Sequence, residues 1–184
     1  MRTFAFLFHP TSMKQIRHFW PITAILPPSV VKTFLKTQKP KVIPVKKLRS
    51  MTGNEIDGFI IMSPILPENI LEMDEESIIE KIIEAGRIAM HMGAHLLGLE
   101  GYFAAVADKK PMIYKHLKTS VTSGTTFTAW SIFESVYLTA QLKKIDLKKC
   151  TITLFGPNNA IGSLCARKFS EHAARLILTG GVTQ

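Results

Sequence analysis

A chain of 184 residues, 46 % hydrophobic and 20 % charged, has a globular composition that excludes wholesale disorder. Lys and Arg number 23 against 14 Asp and Glu, a formal net charge of +9. The length suits one domain, or one small domain plus part of another, and buries about 70 % of its unfolded surface without disulfides. No apolar run approaches the roughly 20 residues that span a bilayer, which argues against a transmembrane segment.

The opening Thr3 to Phe8 is a continuous, Phe-rich apolar run of strand length, as expected for a strand covered on both faces. It meets His9-Pro10 with no small-residue cleavage site, so it reads as a buried strand and not a signal peptide. Ser12 with Gln15 has capping-box spacing and predicts a helix start. Between residues 20 and 50 the chain is broken by Pro21, Pro27, Pro28, Pro40 and Pro44, leaving short helical or extended pieces. Gly58 to Met62 predicts a second strand, stopped by Ser63-Pro64.

Ser77 with Glu80 is a second capping box. After it Ile78, Ile79, Ile82, Ile83, Ala89 and Met90 fall on one helical face, and Gly93 ends the helix. His95 to Leu99 predicts a third strand. Lys115 to Gly124 is extended and polar, and Thr126 or Thr128 opens a long helix with Ile132, Phe133, Val136, Tyr137, Ala140 and Leu142 on its apolar side. That helix closes at Lys143-Lys144, where positive charge suits the carboxyl end of the dipole. Thr151 to Phe155 is a strand, residues 156–162 turn it into a helix running to about Ala173, and Arg175 to Thr179 is a further strand. The last stretch is one βαβ unit, and the whole pattern is α/β.

Charge is unevenly placed. Residues 1–50 carry ten cations and no acid, residues 51–100 carry two cations and ten acids, and the remainder carries eleven and four. The basic first segment is either a solvated face balanced by the acidic stretch or a surface for an acidic partner or anionic membrane. Nucleic acid is set aside, because neither a binding motif nor aromatics interleaved with the cations occur. Two cysteines, Cys150 and Cys165, make no disulfide framework, and the reducing cytoplasm is the expected location.

The chemistry-bearing candidate is the turn after Phe155. A glycine-rich turn between a strand and a helix aims backbone N–H groups at a phosphate, and the helix dipole reinforces them. Gly156, Asn158, Asn159, Ala160, Ile161 and Gly162 are the candidate cofactor-binding residues, with Asn159 where dinucleotide folds place their middle glycine. Asn is the residue type next best able to adopt positive φ, so the turn is expected to survive while its side chain crowds a phosphate. The residue that reads the ribose should fall among Gly180, Gly181, Val182, Thr183 and Gln184, none of them charged, so NAD and NADP are not distinguished. His91 and His95 stand four residues apart, but no third ligand is evident and no metal site is assigned.

Four ordered segments also resemble a known family: Phe8-His9-Pro10-Thr11-Ser12, Gly58 through Pro67, Leu99-Glu100-Gly101-Tyr102-Phe103, and Val121 through Trp130. With the glycine-rich turn following, the chain resembles the first half of the long-chain acyl-acyl-carrier-protein reductases that form fatty aldehydes, and related bacterial dehydrogenase-like proteins. The resemblance implies an N-terminal α/β substrate-side domain over 1–120, then a linker helix and partial Rossmann-type unit over 121–184. It implies NADP(H) or NAD(H) as cofactor and an acidic acyl carrier protein or small acyl thioester as partner. It further implies oxidoreductase chemistry in which a cysteine attacks the thioester.

Neither Cys150 nor Cys165 matches that nucleophile, and Phe127 stands where the family loop has a histidine. This chain is therefore expected to be inactive alone, as a truncated or divergent member. The alternative is a non-catalytic binding or regulatory protein, or a fragment keeping the fold, with a second copy or partner chain completing the sheet. The substrate-side candidates are Thr122, Gly124, Thr126, Thr128 and His9, each read equally as a ligand donor or as a plain cap or turn residue.

Overall fold

Residues 3–180 are described by a computed structural model. They hold seven strands and seven α-helices, and the chain divides into two units, Met1–Ser123 and Gly124–Gln184. The class is α/β.

In the first unit, β1 (Thr3–Phe8) lies at the centre of a five-stranded sheet. The other strands are β2 (Lys41–Arg49), β3 (Glu55–Met62), β4 (Leu96–Leu99) and β5 (Ser120–Thr122), in the order β2-β3-β1-β4-β5. All neighbours pair in parallel except β2, which runs antiparallel to β3 at the edge. Phe4 lies opposite Gly58 and Phe6 opposite Gly98. A Cβ at Gly98 would sit 2.6 Å from the Phe6 ring, so the strand glycines make room for the phenyl rings of β1.

Helices cover both faces. α1 (Met13–Phe19) and α2 (Pro28–Lys36) bring Ile16, Val31 and Leu35 onto Met62 and Leu66. On the other face α4 (Glu75–His91) and α5 (Gly101–Lys109) bring Ile78, Ile82 and Phe103 onto Leu7, Ile61, Leu97 and Leu99. The short α3 (Pro67–Glu72) links β3 to α4.

Three sequence expectations change here. β2 was not anticipated as a strand: it carries Pro44 and a bulge between Val45 and Leu48, with Lys47 at φ +55 donating its N–H to Asp57 Oδ1 at 2.8 Å. Its Lys41, Lys46, Lys47 and Arg49 place part of the basic first segment along a sheet edge, where cations discourage edge-to-edge pairing. At α4 the cap changes: Asp74, not Ser77, is the N-cap, its Oδ1 accepting the Ser77 N–H at 2.7 Å, while Glu75 and Glu76 open the helix as their place at the positive end of its dipole leads one to expect. α5 was read only as part of a motif, and it opens at Gly101 with Glu100 as its N-cap.

The second unit packs α6 (Thr125–Leu142) and α7 (Ala160–Ser170) on a parallel pair, β6 (Thr151–Phe155) and β7 (Arg175–Thr179). Its core joins Ala129 and Phe133 of α6 to Cys165 and Phe169 of α7. Gly124, at φ +70, is the N-cap of α6, two residues ahead of the expected opening at Thr126 and four ahead of that at Thr128. Of the apolar side assigned to this helix, only Phe133 and Ala140 are buried, while Ile132, Val136, Tyr137 and Leu142 are exposed. No helix among the described residues is long and apolar enough to cross a membrane.

Candidate functional site

The turn after β6, the end of β7 and the first two turns of α7 line an open cleft of about 670 Å³. Its lining includes Pro157, Asn158, Ser163, Arg167, Thr179 and Gly180. It opens at the carboxyl ends of parallel strands, where α/β proteins place ligands because helix N-termini converge there. β6 ends at Phe155, and Gly156 leaves it at φ +74, a conformation that L side chains rarely adopt. The Gly156 N–H donates to Thr179 O at 3.0 Å, tying the turn to the end of β7.

Gly162 is the steric key to the turn. A Cβ there would overlap Gly156 O and sit 2.9 Å from Gly156 C and 3.0 Å from Pro157 Cα, so only glycine lets the third residue of α7 pack under the loop. Asn159 does not take positive φ; it is extended at φ −94 and acts as the N-cap. Its Oδ1 accepts the Gly162 N–H at 2.8 Å and its Nδ2 donates to Gly156 O at 3.1 Å. That corrects the expectation for this position. The side chain folds back onto the turn, stitching it shut from inside.

The first intrahelical bond of α7 runs from the Ser163 N–H to Asn159 O at 2.9 Å. The Ala160 and Ile161 N–H groups therefore have no partner within the helix, as at any helix start. Asn158 lines the cleft and is already engaged by a partner. The structure adds Ser163 and Arg167, which sequence inspection missed although their four-residue spacing puts them on one helical face. Among the described residues Arg167 is the one charged side chain lining the cleft, and it forms no close ion pair, its charge acting only at longer range to help lower the Glu171 carboxyl. The ribose-reading position falls partly on 181–184, outside the described residues.

The substrate-side candidates divide between the units. His9 and Thr122 belong to the first, where they follow or end β1 and β5 with β4 lying between those strands. Gly124, Thr126 and Thr128 belong to the second. Thr128 donates both its N–H, at 2.9 Å, and its hydroxyl, at 3.1 Å, to Gly124 O, so it closes the first turn of α6. The His9 N–H donates to Glu100 Oε2 at 3.4 Å, and its ring meets the Phe103 ring edge-on at 5.9 Å between centroids.

Burial pushes the Cys165 thiol up from its ordinary value, the opposite of what an activated nucleophile needs. Among the described residues no three His, Cys, Asp or Glu side chains gather in a way that holds a metal ion.

No family model matches this chain, and no curated protein matches it. Among solved structures, an aspartate racemase homologue from Pyrococcus horikoshii OT3 matches with a TM-score of 0.42 at 10 % identity, covering 97 % of this chain and 65 % of that one. A protein assigned as an Asp/Glu racemase from Yersinia pestis matches with a TM-score of 0.40 at 13 % identity, covering 98 % and 64 %. The chain thus spans just under two thirds of the length of each.

These matches correct the family resemblance drawn from the four segments: the two solved structures named carry racemase descriptions, and neither is an acyl-acyl-carrier-protein reductase. The NAD(P)-dependent oxidoreductase function, the acyl carrier protein partner and the fatty-aldehyde product fall with it. Short segments rich in Gly, Thr and Leu-Pro recur wherever strands end in turns, which is why their order misled.

Proposed function

We propose that this protein binds a phosphate-bearing small molecule of the nucleotide class in the cleft at the start of α7, as a binding unit of Rossmann-type βαβ form. The observation that carries the reading is the Gly162 cradle: loop and helix meet so closely that no side chain fits between them. The Ala160 and Ile161 N–H groups have no partner within the helix, and Arg167 lines the cleft about two turns further along it. A phosphate there accepts backbone N–H bonds from Ala160 and Ile161 and gains the favourable end of the α7 dipole. Arg167 supplies charge and, by its planar fork, two parallel donors. Ser163 adds a hydroxyl. NADP(H) and NAD(H) are members of this ligand class, and an adenine nucleotide alone would satisfy the same contacts.

Calorimetric titration of the full chain with NADP⁺, ADP and inorganic phosphate tests the proposal. Saturable binding of a nucleotide is expected, weakened about tenfold in Arg167→Ala, the typical scale of one charge-assisted bond. Absence of saturable heat with all three probes at millimolar concentration overturns it, as does binding that Arg167→Ala leaves untouched.

A further inference from the structure

The first unit holds a separate cavity of about 360 Å³ beside α2, α3 and the start of α4, within the size range of small-molecule pockets. Its lining combines Leu35 and Ile65, both buried, with a ring of charged side chains. Most of that ring is already committed. Lys32 pairs with Glu72 at 2.5 Å, Lys81 pairs with Glu84 at 3.1 Å, and both carboxylate oxygens of Asp74 accept from Ser77.

Three lining groups stand outside those pairs. Asn69 is only 7 % exposed, yet among the described residues its carboxamide makes no hydrogen bond. Because its atoms keep contact with solvent in the cavity, a ligand that displaces that water must return its hydrogen bonds, which favours an occupant with an amide of its own. Its atoms are not sealed in: Ser63 Oγ is the buried side-chain polar atom left without both partner and solvent. Lys36 and Glu80, of opposite charge, stand in the same lining with no ion pair of their own among the described residues, while the Lys36 charge also helps to hold the Glu72 carboxyl down.

We propose that this cavity binds a small zwitterion of amino-acid size, whose carboxylate meets Lys36, whose ammonium meets Glu80, and whose polar side chain pairs with the Asn69 carboxamide. Opposite charges in one lining select a ligand bearing both charges, and a nearly neutral ring repels neither end. The carboxamide offers donor and acceptor together, which suits a primary amide better than an alkyl chain. Leu35 and Ile65 leave room for methylene groups between the polar ends.

L-Glutamine is the probe that carries all three features. Titration into the full chain is expected to give saturable binding. N-acetyl-L-glutamine, which lacks the ammonium, and L-norleucine, which lacks the amide, should each bind at least about tenfold more weakly. Asn69→Leu should abolish the preference for L-glutamine over L-norleucine, with the unfolding midpoint measured alongside to confirm that the fold is kept. Lys36→Gln, at an exposed position, should weaken binding without touching the fold. No saturable binding of L-glutamine at tens of millimolar overturns the proposal. Equal binding of L-glutamine and L-norleucine, or binding unchanged in Lys36→Gln, overturns it as well.

Discussion

The two units solve the same packing problem at different scales. In the first, five strands lie between two helical layers, and Leu7, Ile61, Leu97 and Phe103 are removed from solvent altogether. In the second, two strands carry two helices on one face, and the core reduces to Ala129, Phe133, Cys165 and Phe169 with their half-buried neighbours. Phe155, Ile177 and Leu178 stay exposed there, as do Phe127, Trp130 and Leu142 of α6. A helix as apolar all round as α6 normally sits inside a protein. The lesson is that sheet width decides how much apolar surface a βαβ unit can cover. The second unit therefore depends on turn geometry more than on core mass.

The largest effect should come from emptying the wide core. Phe103→Ala removes a fully buried ring and should cost about 3–5 kcal/mol, with faster amide exchange across residues 3–123. If exchange accelerates equally in 124–180, the contrast between the units is wrong. Gly162→Ala should act on the second unit instead, costing roughly 1–3 kcal/mol or more by forcing loop and helix apart. Its thermal unfolding, followed by amide exchange in β6 and β7, reports the loss.

Asn159→Ala removes the α7 cap and the bond to Gly156 O, for about 1 kcal/mol, while Asn159→Gly should cost less.

The first unit has a matching cap with a charge on it. The Ser77 N–H and hydroxyl hold the Asp74 carboxyl below its ordinary value of 3.8. A lowered folded value means that the cap's contribution is complete above pH 3.8 and is lost as pH falls through the folded value. Acid unfolding of Asp74→Asn, compared with the wild type, should show a shallower dependence on pH below 4. The smallest effect is chemical. Cys165, buried and with its thiol pushed up, should alkylate far more slowly than the half-buried Cys150 with iodoacetamide at pH 8, read by mass spectrometry.

The elements legible in the sequence were those whose burial and boundaries both leave a mark. β1, β6 and β7 are apolar runs closed by Pro or Gly, and the helix starting at Ser12 carries a side-chain cap that the structure retains: Ser12 Oγ accepts the Gln15 N–H at 3.4 Å. β2 was hidden because an edge strand buries little, and its lysines and Pro44 are the features that protect an edge. The cap at Asp74 was masked by Ser77, three residues on, which receives the cap rather than forming it.

At the cleft, Gly156 and Gly162 were visible by spacing. The part taken by Asn159 was not: an N-cap and a left-handed turn residue draw on the same amino acid, and only φ separates them. Arg167 was invisible because an exposed cation on a helix carries no local signal of what it faces.

Amide hydrogen exchange of the full chain, with and without saturating NADP⁺ or ADP, tests the central claim most directly, since it locates a ligand as well as detecting one. The account predicts slower exchange confined to residues 156–167 and 178–180, with residues 3–123 unchanged. Protection that falls in the first unit, or no protection around Ala160 and Ile161 when ligand is bound, would contradict it.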